Sequence, residues 1–315
     1  MLTGAMHVLS FIGSAAFYLP LLVVVYWCVD ARLGARAAVV LSCGSVVNTW
    51  LKLLFHDPRP FWTDGSVTGH ESRNSFGMPS GHAQNAVAVW GFLAAQTRRR
   101  ALWAVSAVLI AGIGVSRVVL GVHSPGQVAA GWTIGAALLA AALWLEPRVV
   151  PRWTGRSLPE QFGFSLAVSL AALGAMWAAV EALDGWRWPA TWAREIVQAG
   201  GRVEPITLSE GAAAAGGLFG LLAGLSYAAS RIGYDPAGEV WRRLARIPVG
   251  AAGALAIYTL GLFLGTRPAQ AFAVQALLGL WATAGAPEAF VRLGLARRTS
   301  RAVTRPGAKR PKVRQ

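Results

Sequence analysis

The sequence predicts an all-α fold, a polytopic membrane helix bundle of about nine transmembrane helices. Hydrophobic residues make up 55% of the 315 residues and charged residues only 14%, and the mean hydropathy is +0.47. A soluble domain carries about 25% charged residues. The composition therefore excludes an ordinary soluble enzyme, and it equally excludes a disordered chain. Lysine and arginine outnumber acidic residues by 29 to 14, a net charge of +15 that calls for an explanation by membrane orientation or by nucleic-acid binding.

Nine apolar stretches approach the length of about 20 residues that a helix needs to cross a bilayer. In chain order they are 6–28, 33–55, 79–96, 101–121, 125–145, 162–183, 210–229, 247–265 and 270–290. The third is short and has a polar start. The seventh is rich in alanine and glycine, which favours close packing of helices.

Arginines are concentrated in alternate loops, and this sets the expected orientation. They follow the first, third, fifth and seventh stretches, and eight lysines and arginines occupy the tail from Arg297 to Gln315 without an acidic residue. The positive-inside rule places these segments in the cytoplasm. We therefore expect the N-terminus outside and the C-terminus inside. The positive excess is then explained by orientation and by attraction of the tail to anionic lipid, and no nucleic-acid partner is predicted.

Fourteen tryptophans fit a membrane protein. Trp27, Trp103 and Trp144 stand near predicted cytoplasmic helix ends, where an aromatic belt at the membrane interface is common. A further cluster, WRWPATW at 186–192, lies in a predicted outer loop. We interpret it as a short helix in the outer interface, which serves either as an anchor or as a lid over a substrate.

Three blocks on the predicted outer side contain most of the residues suited to chemistry. They are KLLFHDPRP from Lys52 to Pro60, PSGH from Pro79 to His82, and SRVVLGVH from Ser116 to His123. Lys52 is the only lysine outside the tail. A charge inside a membrane segment indicates a functional site by default, with a snorkelling interfacial lysine as the alternative.

Together the blocks resemble the three-part pattern of the type 2 phosphatidic acid phosphatase superfamily: K-x6-R-P, P-S-G-H and S-R-x5-H-x3-D. The resemblance covers about residues 45–135. It implies a membrane phosphatase in which His123 is the nucleophile and forms a phosphohistidine. His82 is then the acid that protonates the leaving oxygen, and afterwards the base that activates water. The resemblance implies no cofactor and no metal ion.

The cations suit phosphoryl transfer on physical grounds as well. Lys52, Arg59 and Arg117 would neutralise the charge that spreads over the oxygens of a transferring phosphoryl group. Imidazole suits both His82 and His123 because its pKa lies near neutrality. Zinc binding by the histidines is disfavoured, because the sequence contains neither HExxH nor a close His/Cys pair.

The second block predicts an anion site at the start of a helix. Pro79 suits the first turn of a helix. The backbone amides of Ser80, Gly81 and His82 would then face a phosphate. Gly81 lacks the side chain that would hinder close approach of the anion.

Gln127 departs from the pattern, since the superfamily commonly has aspartate four residues after the nucleophilic histidine. A carboxylate there would orient the imidazole and stabilise its cationic form. Gln127 can still accept a hydrogen bond from the ring of His123. It also fits a helix capping box with Ser124. We leave these two roles open, and we interpret Asp57 as a local turn residue.

The sequence thus predicts an integral membrane phosphatase, a phosphoric ester or diphosphate hydrolase with its site on the outer or periplasmic face of the plasma membrane. A lipid substrate is expected (polyprenyl diphosphate, phosphatidic acid or phosphatidylglycerol phosphate), because helix ends near the interface can reach a head group whose tail stays in the bilayer. Hydrolysis of a soluble sugar phosphate is an alternative, since glucose-6-phosphatase in the same superfamily also has glutamine at the position of Gln127. A non-hydrolytic protein that binds or transports phosphate is another.

We divide the chain into three parts. Residues 1–150 hold the catalytic blocks, 151–296 are additional transmembrane helices without an assigned role, and 297–315 form the basic cytoplasmic tail. The expected partners are a lipid or sugar phosphate and the membrane lipids. A homo-oligomer is left open.

Overall fold

The structure is a computed structural model, and it describes residues 2–97, 99–265 and 267–298. The described ranges hold thirteen α-helices: α1 (Leu2–Ile12), α2 (Ala15–Cys28), α3 (Ala31–Phe55), α4 (Pro60–Thr63), α5 (Gly81–Thr97), α6 (Arg100–Val119), α7 (Pro125–Thr154), α8 (Leu158–Glu181), α9 (Ala190–Gln198), α10 (Leu208–Tyr227), α11 (Val240–Leu264), α12 (Pro268–Leu280) and α13 (Ala286–Arg292). Ala228–Ile232 and Trp281–Gly285 are π-helical, and β1 (Tyr234–Asp235) pairs with β2 (Arg297–Arg298) in antiparallel fashion. The predicted basic tail lies outside the described residues after Arg298.

The predicted all-α membrane fold is confirmed. Seven segments of the described chain are long and apolar enough to cross a membrane, and α1 with α2 forms an eighth if this bent pair is one span. The helix at the third predicted stretch, α5, has 17 residues and is shorter than those segments. It nevertheless runs from the end of the bundle where α3 stops to the end where α6 begins. The count of nine and the orientation stay predictions.

The first predicted span, 6–28, is wrong as a single helix. It is broken between α1 and α2, which are bent by 46°. The break comes at Gly13 and Ser14, and Ser14 is the N-cap of α2. A side chain on Gly13 would lie 2.5 Å from Ile113 of α6, so the glycine lets α1 lean across α6. The bend brings α1 to the end of α6, and Ser10 thereby reaches Arg117.

The second half of the bundle packs on the first. The helix α10 lies against α8, α12 and also α3. The segment between α8 and α10 folds over the end of the first half at which α3 stops. Its Trp186 lies 5.9 Å from Phe76 and its Trp192 lies 5.8 Å from Trp62, measured between ring centroids. The short helix expected at WRWPATW, residues 186–192, is displaced along the chain: α9 begins at Ala190, so Trp192 lies in it whereas Trp186 and Trp188 precede it.

Arg246 joins three distant segments at the opposite end of the bundle. It is completely buried, and its guanidinium donates hydrogen bonds to the backbone carbonyls of Trp27, Pro236, Ala237 and Leu295. Trp27, which the sequence places in an interfacial belt, is instead buried at 4% exposure. Its indole donates to the Ala282 carbonyl at 2.7 Å, so it belongs to the packing between α2 and the last helices.

Candidate active site

The three sequence blocks meet at one end of the bundle. Lys52 lies in the last turn of α3, Arg59 directly before α4, Ser80 directly before α5, Arg117 in the last turn of α6, and His123 in the loop before α7. The chain turns at His56, which follows α3 in the left-handed conformation with φ of 36° and donates its backbone N–H to the Lys52 carbonyl. Such a helix end is usually glycine. The turn sends the next residues back toward the helix end, where Arg59 enters the site.

Arg59 is held inside the site by backbone carbonyls rather than by a carboxylate. It is 1% exposed, and it donates to the carbonyls of Ser75 at 2.7 Å and Val122 at 2.9 Å. Lys52 donates to the Ser75 hydroxyl at 2.9 Å, so Ser75 ties both cations together. Sequence reasoning missed Ser75. With no salt bridge recorded for either cation in the described chain, their charge is available to an anion.

His123 is buried with both ring nitrogens in defined contacts. Its Nε2 lies 3.1 Å from the Arg59 guanidinium, and its Nδ1 lies 3.1 Å from the side-chain oxygen of Gln127. Burial and, after it, the positive charge of Arg59 hold the pKa of the His123 imidazole well below its usual range. The ring is therefore neutral at pH 7, which is the state that a nucleophile needs.

The start of α5 differs in part from the prediction. The helix begins at Gly81, so Pro79 precedes it and is not in its first turn. The backbone N–H of Ser80 donates to the Gln127 carbonyl at 3.1 Å and is not free for an anion. A side chain on Gly81 would meet the amide oxygen of Asn48 at 2.8 Å, so this glycine is required for packing on α3. The amides of Gly81 and His82 remain without an intrahelical acceptor.

Two side chains of this block are buried without a hydrogen-bond partner. They are the hydroxyl of Ser80 and the Nε2 atom of His82. Buried polar atoms usually have a partner, because an unpaired one costs about 1–3 kcal/mol. Both atoms are suited to contact a phosphate oxygen or the oxygen of a leaving group.

Arg117 has a carboxylate partner that the sequence did not reveal. It is completely buried, and its two terminal nitrogens lie 3.1 and 3.0 Å from the two carboxylate oxygens of Glu71. Ser10 donates to the same carboxylate at 2.6 Å, and Arg73 also pairs with it. Although partial burial opposes it, the hydrogen bond and charge of Arg117 hold the pKa of Glu71 well below its usual range. A carboxylate thus occupies the guanidinium fork that we expected to bind phosphate.

Gln127 makes both contacts that the sequence left open. It forms the capping box of α7, in which its backbone N–H donates to the Ser124 hydroxyl and its side-chain oxygen accepts from the Ser124 backbone, both at 3.2 Å. The same oxygen faces His123. Its Nε2 donates to Asp57 at 2.7 Å, so Asp57 is more than the local turn residue that we expected.

Residues far along the chain cover the site. The ring centroid of Trp186 lies 5.4 Å from that of His56. A small cleft beside Lys52 is lined by Ser75 and, from the region before and at the start of α10, by Thr207 and Glu210. More than 150 positions separate Lys52 from Glu210, and no local signal in the sequence connects them. No group of three or more His, Cys, Asp or Glu side chains that could hold a metal ion occurs in the described part of the chain.

Known proteins match this chain in two regions. Residues 33–151 match the PAP2 superfamily, and residues 212–298 match the family described as PAP2 superfamily phosphatase, transmembrane extension. Phosphatidylglycerophosphatase B of Bacillus subtilis (strain 168) is 29% identical over 147 residues, which cover 42% of this chain and 68% of that protein. Lipid phosphate phosphatase delta of Arabidopsis thaliana is 27% identical over 152 residues, 44% of this chain but only 36% of that protein.

A crystal structure of a transmembrane PAP2 type phosphatidylglycerolphosphate phosphatase from Bacillus subtilis is also similar. It shares 24% identity, with a TM-score of 0.41, over 47% of this chain and 78% of that one. The first family match contains all three blocks, and the second begins within α10. The chain therefore carries a PAP2 superfamily domain followed by the PAP2 transmembrane extension, and it belongs to the PAP2 superfamily.

Proposed function

We propose that this protein is an integral membrane phosphatase that hydrolyses a lipid phosphomonoester or diphosphate through a phosphohistidine on His123. The observation that carries the proposal is the surroundings of His123. A neutral, buried imidazole lies with its Nε2 beside Arg59, and the Arg59 guanidinium forms no salt bridge with a carboxylate of the described chain. The polar atoms of Ser80 and His82 are buried and unpartnered. These are the groups that a phosphate and a leaving oxygen require.

In the first step, Nε2 of His123 attacks the phosphorus atom and forms a P–N bond. The bond from phosphorus to the leaving oxygen breaks, and His82 gives that oxygen a proton, which releases the lipid alcohol or the lipid monophosphate. In the second step, His82 takes a proton from water, the resulting hydroxide attacks phosphorus, and the P–N bond breaks. Lys52, Arg59 and the first amides of α5 neutralise the phosphoryl oxygens in both steps.

A lipid substrate fits the position of the site. It lies at the end of an apolar bundle whose outward faces include Val108 at 72% and Phe263 at 89% exposure, as expected for contact with lipid. A head group can reach this end while its acyl or prenyl chain stays beside the helices. The names of the similar proteins, a phosphatidylglycerophosphatase and a lipid phosphate phosphatase, support the same class.

The test is release of inorganic phosphate by the purified protein in detergent. The panel contains phosphatidylglycerol phosphate, phosphatidic acid, a polyprenyl diphosphate and glucose-6-phosphate. We expect hydrolysis of at least one lipid, and we expect kcat of His123→Ala to fall about 10³-fold or more, since the nucleophile is lost. His70→Ala is the matched control, because His70 is an exposed histidine of the same outer region.

Two outcomes would contradict the proposal. Hydrolysis of glucose-6-phosphate alone would favour a soluble substrate. Unchanged phosphate release by His123→Ala would exclude the proposed nucleophile. A further test is brief reaction with a ³²P-labelled substrate followed by a quench without acid. It should trap an acid-labile phosphoenzyme in the wild type and none in His123→Ala.

A further inference from the structure

We propose that Asp57 is a positioning residue that acts on His123 through the side chain of Gln127. In this arrangement a carboxylate, an amide and the imidazole form one relay. The inference rests on the proposed function, in that it takes His123 as the nucleophile. It assigns the charge that the missing aspartate at position 127 would supply to a residue 70 positions earlier in the chain.

The contacts of Gln127 determine how its amide is oriented. Its Nε2 lies 2.7 Å from a carboxylate oxygen of Asp57 and 2.7 Å from the Pro58 carbonyl, and both of these groups only accept hydrogen bonds. Its Oε1 lies 3.2 Å from the backbone N–H of Ser124, which only donates. Rotating the amide by 180° would break all three bonds, so the amide oxygen must face His123.

The contacts of His123 lead independently to the matching tautomer. The Arg59 guanidinium can only donate, so the Nε2 atom 3.1 Å away is the acceptor and carries no proton. The proton of the neutral ring is then on Nδ1, which donates to Gln127 Oε1 at 3.1 Å. The two determinations agree. They leave the nucleophilic lone pair on Nε2, toward the cations.

Asp57 gives this arrangement a charge. Attack by Nε2 places positive charge on the ring, and a carboxylate bound to the amide N–H polarises the amide so that its oxygen becomes a better acceptor for Nδ1–H. The charged and titratable groups that act most strongly on His123 are basic: Arg59, Lys52, Arg117 and His82. Asp57 is the carboxylate that Gln127 links to the ring by hydrogen bonds, and it stabilises the ring when it becomes cationic.

The loop before α5 is built around the same amide. A side chain on Gly77 would lie 2.3 Å from Nε2 of Gln127, so only glycine leaves room for the amide at this point. The backbone N–H of Gly77 donates to the Asp57 carbonyl at 2.7 Å. Asp57 is thus held both at its backbone carbonyl and at its carboxylate. A chance surface contact would not be held at two points.

The first experiment compares Asp57→Asn with the wild type. The asparagine oxygen can still accept from Gln127, so the geometry is kept while the charge is lost. We expect kcat to fall about tenfold, the difference between a charge-assisted and a neutral hydrogen bond, with KM changed less than about twofold. Removing a negative charge lowers the pKa of His123, so the acidic limb of the kcat/KM profile should move to lower pH. The control is Asp64→Asn. Asp64 is an exposed carboxylate directly after α4, and asparagine can form the same turn there.

The second experiment restores the superfamily pattern. In Gln127→Asp alone, two carboxylates approach each other and activity should fall. In Gln127→Asp combined with Asp57→Asn, one carboxylate remains and directly faces His123, so kcat should exceed that of either single variant. A purely structural role for Asp57 predicts instead that the two losses multiply.

Three results would overturn the relay. Asp57→Asn could keep the wild-type kcat and pH profile, its kcat could fall no further than that of Asp64→Asn, or the double variant could have the lowest kcat of the set. Thermal unfolding of each variant separates loss of fold from loss of rate, and Asp57→Asn is close enough in shape to remain folded. Failure of the proposed function is distinguishable, because His123→Ala would then retain activity. If His123→Ala is inactive and Asp57→Asn is not impaired, only the relay is wrong.

Discussion

At the scale of single residues, the site combines cations in two different states. Arg59 and Lys52 are held by neutral oxygens, so their charge is open to a phosphate. Arg117 is already paired with Glu71. A carboxylate and a phosphate present similar oxygens to a guanidinium fork. Glu71 therefore occupies the place that a phosphate would take at Arg117.

We predict that Glu71→Gln lowers the free energy of unfolding by about 1–3 kcal/mol, because it leaves the buried charge of Arg117 without its anion. Inorganic phosphate should then stabilise this variant more than it stabilises the wild type, since the anion replaces the carboxylate. Thermal unfolding with and without phosphate measures both effects. Equal stabilisation of the two proteins would mean that Arg117 does not reach the bound anion.

The same pair has a definite dependence on pH. The folded-state pKa of Glu71 is depressed, so its stabilising contribution is complete above the unfolded value of about 4.3 and is lost as pH falls through the folded value. The stability difference between the wild type and Glu71→Gln should therefore be constant near neutral pH and shrink below about pH 4. Thermal unfolding across a pH series checks this sign.

At the scale of helices, polar side chains connect elements that apolar packing alone would leave free to shift. Gln127 ties the start of α7 to the loop after α3. Arg246 does the same at the other end, where it joins α11 to the end of α2 and to the segment before β2. The carbonyls that Arg246 binds accept no hydrogen bond within a helix. The guanidinium supplies the donors that water would supply at an exposed site.

We predict that Arg246→Met lowers the free energy of unfolding by about 3–5 kcal/mol, because several buried carbonyls lose their donors together. Arg242→Met is the matched control on the same helix. Arg242 is partly exposed and pairs with an exposed glutamate, so its loss should cost on the order of 0–1 kcal/mol. Equal melting temperatures for the two variants would contradict a joining role for Arg246.

At the scale of the whole molecule, the site lies in the first matched region and is covered by a segment between the two matched regions. Residues 33–151, which match the PAP2 superfamily, contain the histidines and cations, and residues 186–210 lie over them before the transmembrane extension begins at residue 212. The arginine-rich loops and Arg246 lie at the end of the bundle away from this site. The positive-inside rule therefore predicts that the site faces the side of the membrane opposite to the arginine-rich loops.

We predict that the C-terminus lies in the cytoplasm and the site on the opposite side. A C-terminal green fluorescent protein fusion should fluoresce and a C-terminal alkaline phosphatase fusion should be inactive, because the arginines retain this end inside. Fusions truncated after Phe55, at the site end of α3, should behave in the reverse way. Active alkaline phosphatase at the full-length C-terminus would contradict the orientation.

The class of fold, the PAP2 resemblance and the three blocks that meet at one site could all be predicted from the sequence. Each depends on composition or on spacing within a short segment, and both are local properties that do not require the fold to be known. Local rules also allowed both roles of Gln127, the cap of α7 and the contact with His123. They were less reliable at helix boundaries: α5 begins after Pro79, and the first span breaks at Gly13.

Which side chains share the site depends on how the helices pack in three dimensions. Asp57 contacts Gln127 across 70 positions and Glu71 contacts Arg117 across 46. The segment that covers the site begins at Trp186, far along the chain. A helix can present any of its faces to a neighbour, and a loop can fold in many ways. The partner of a polar group is therefore fixed by how all the helices pack together, because burial forces each such group to find whichever partner that packing brings within reach.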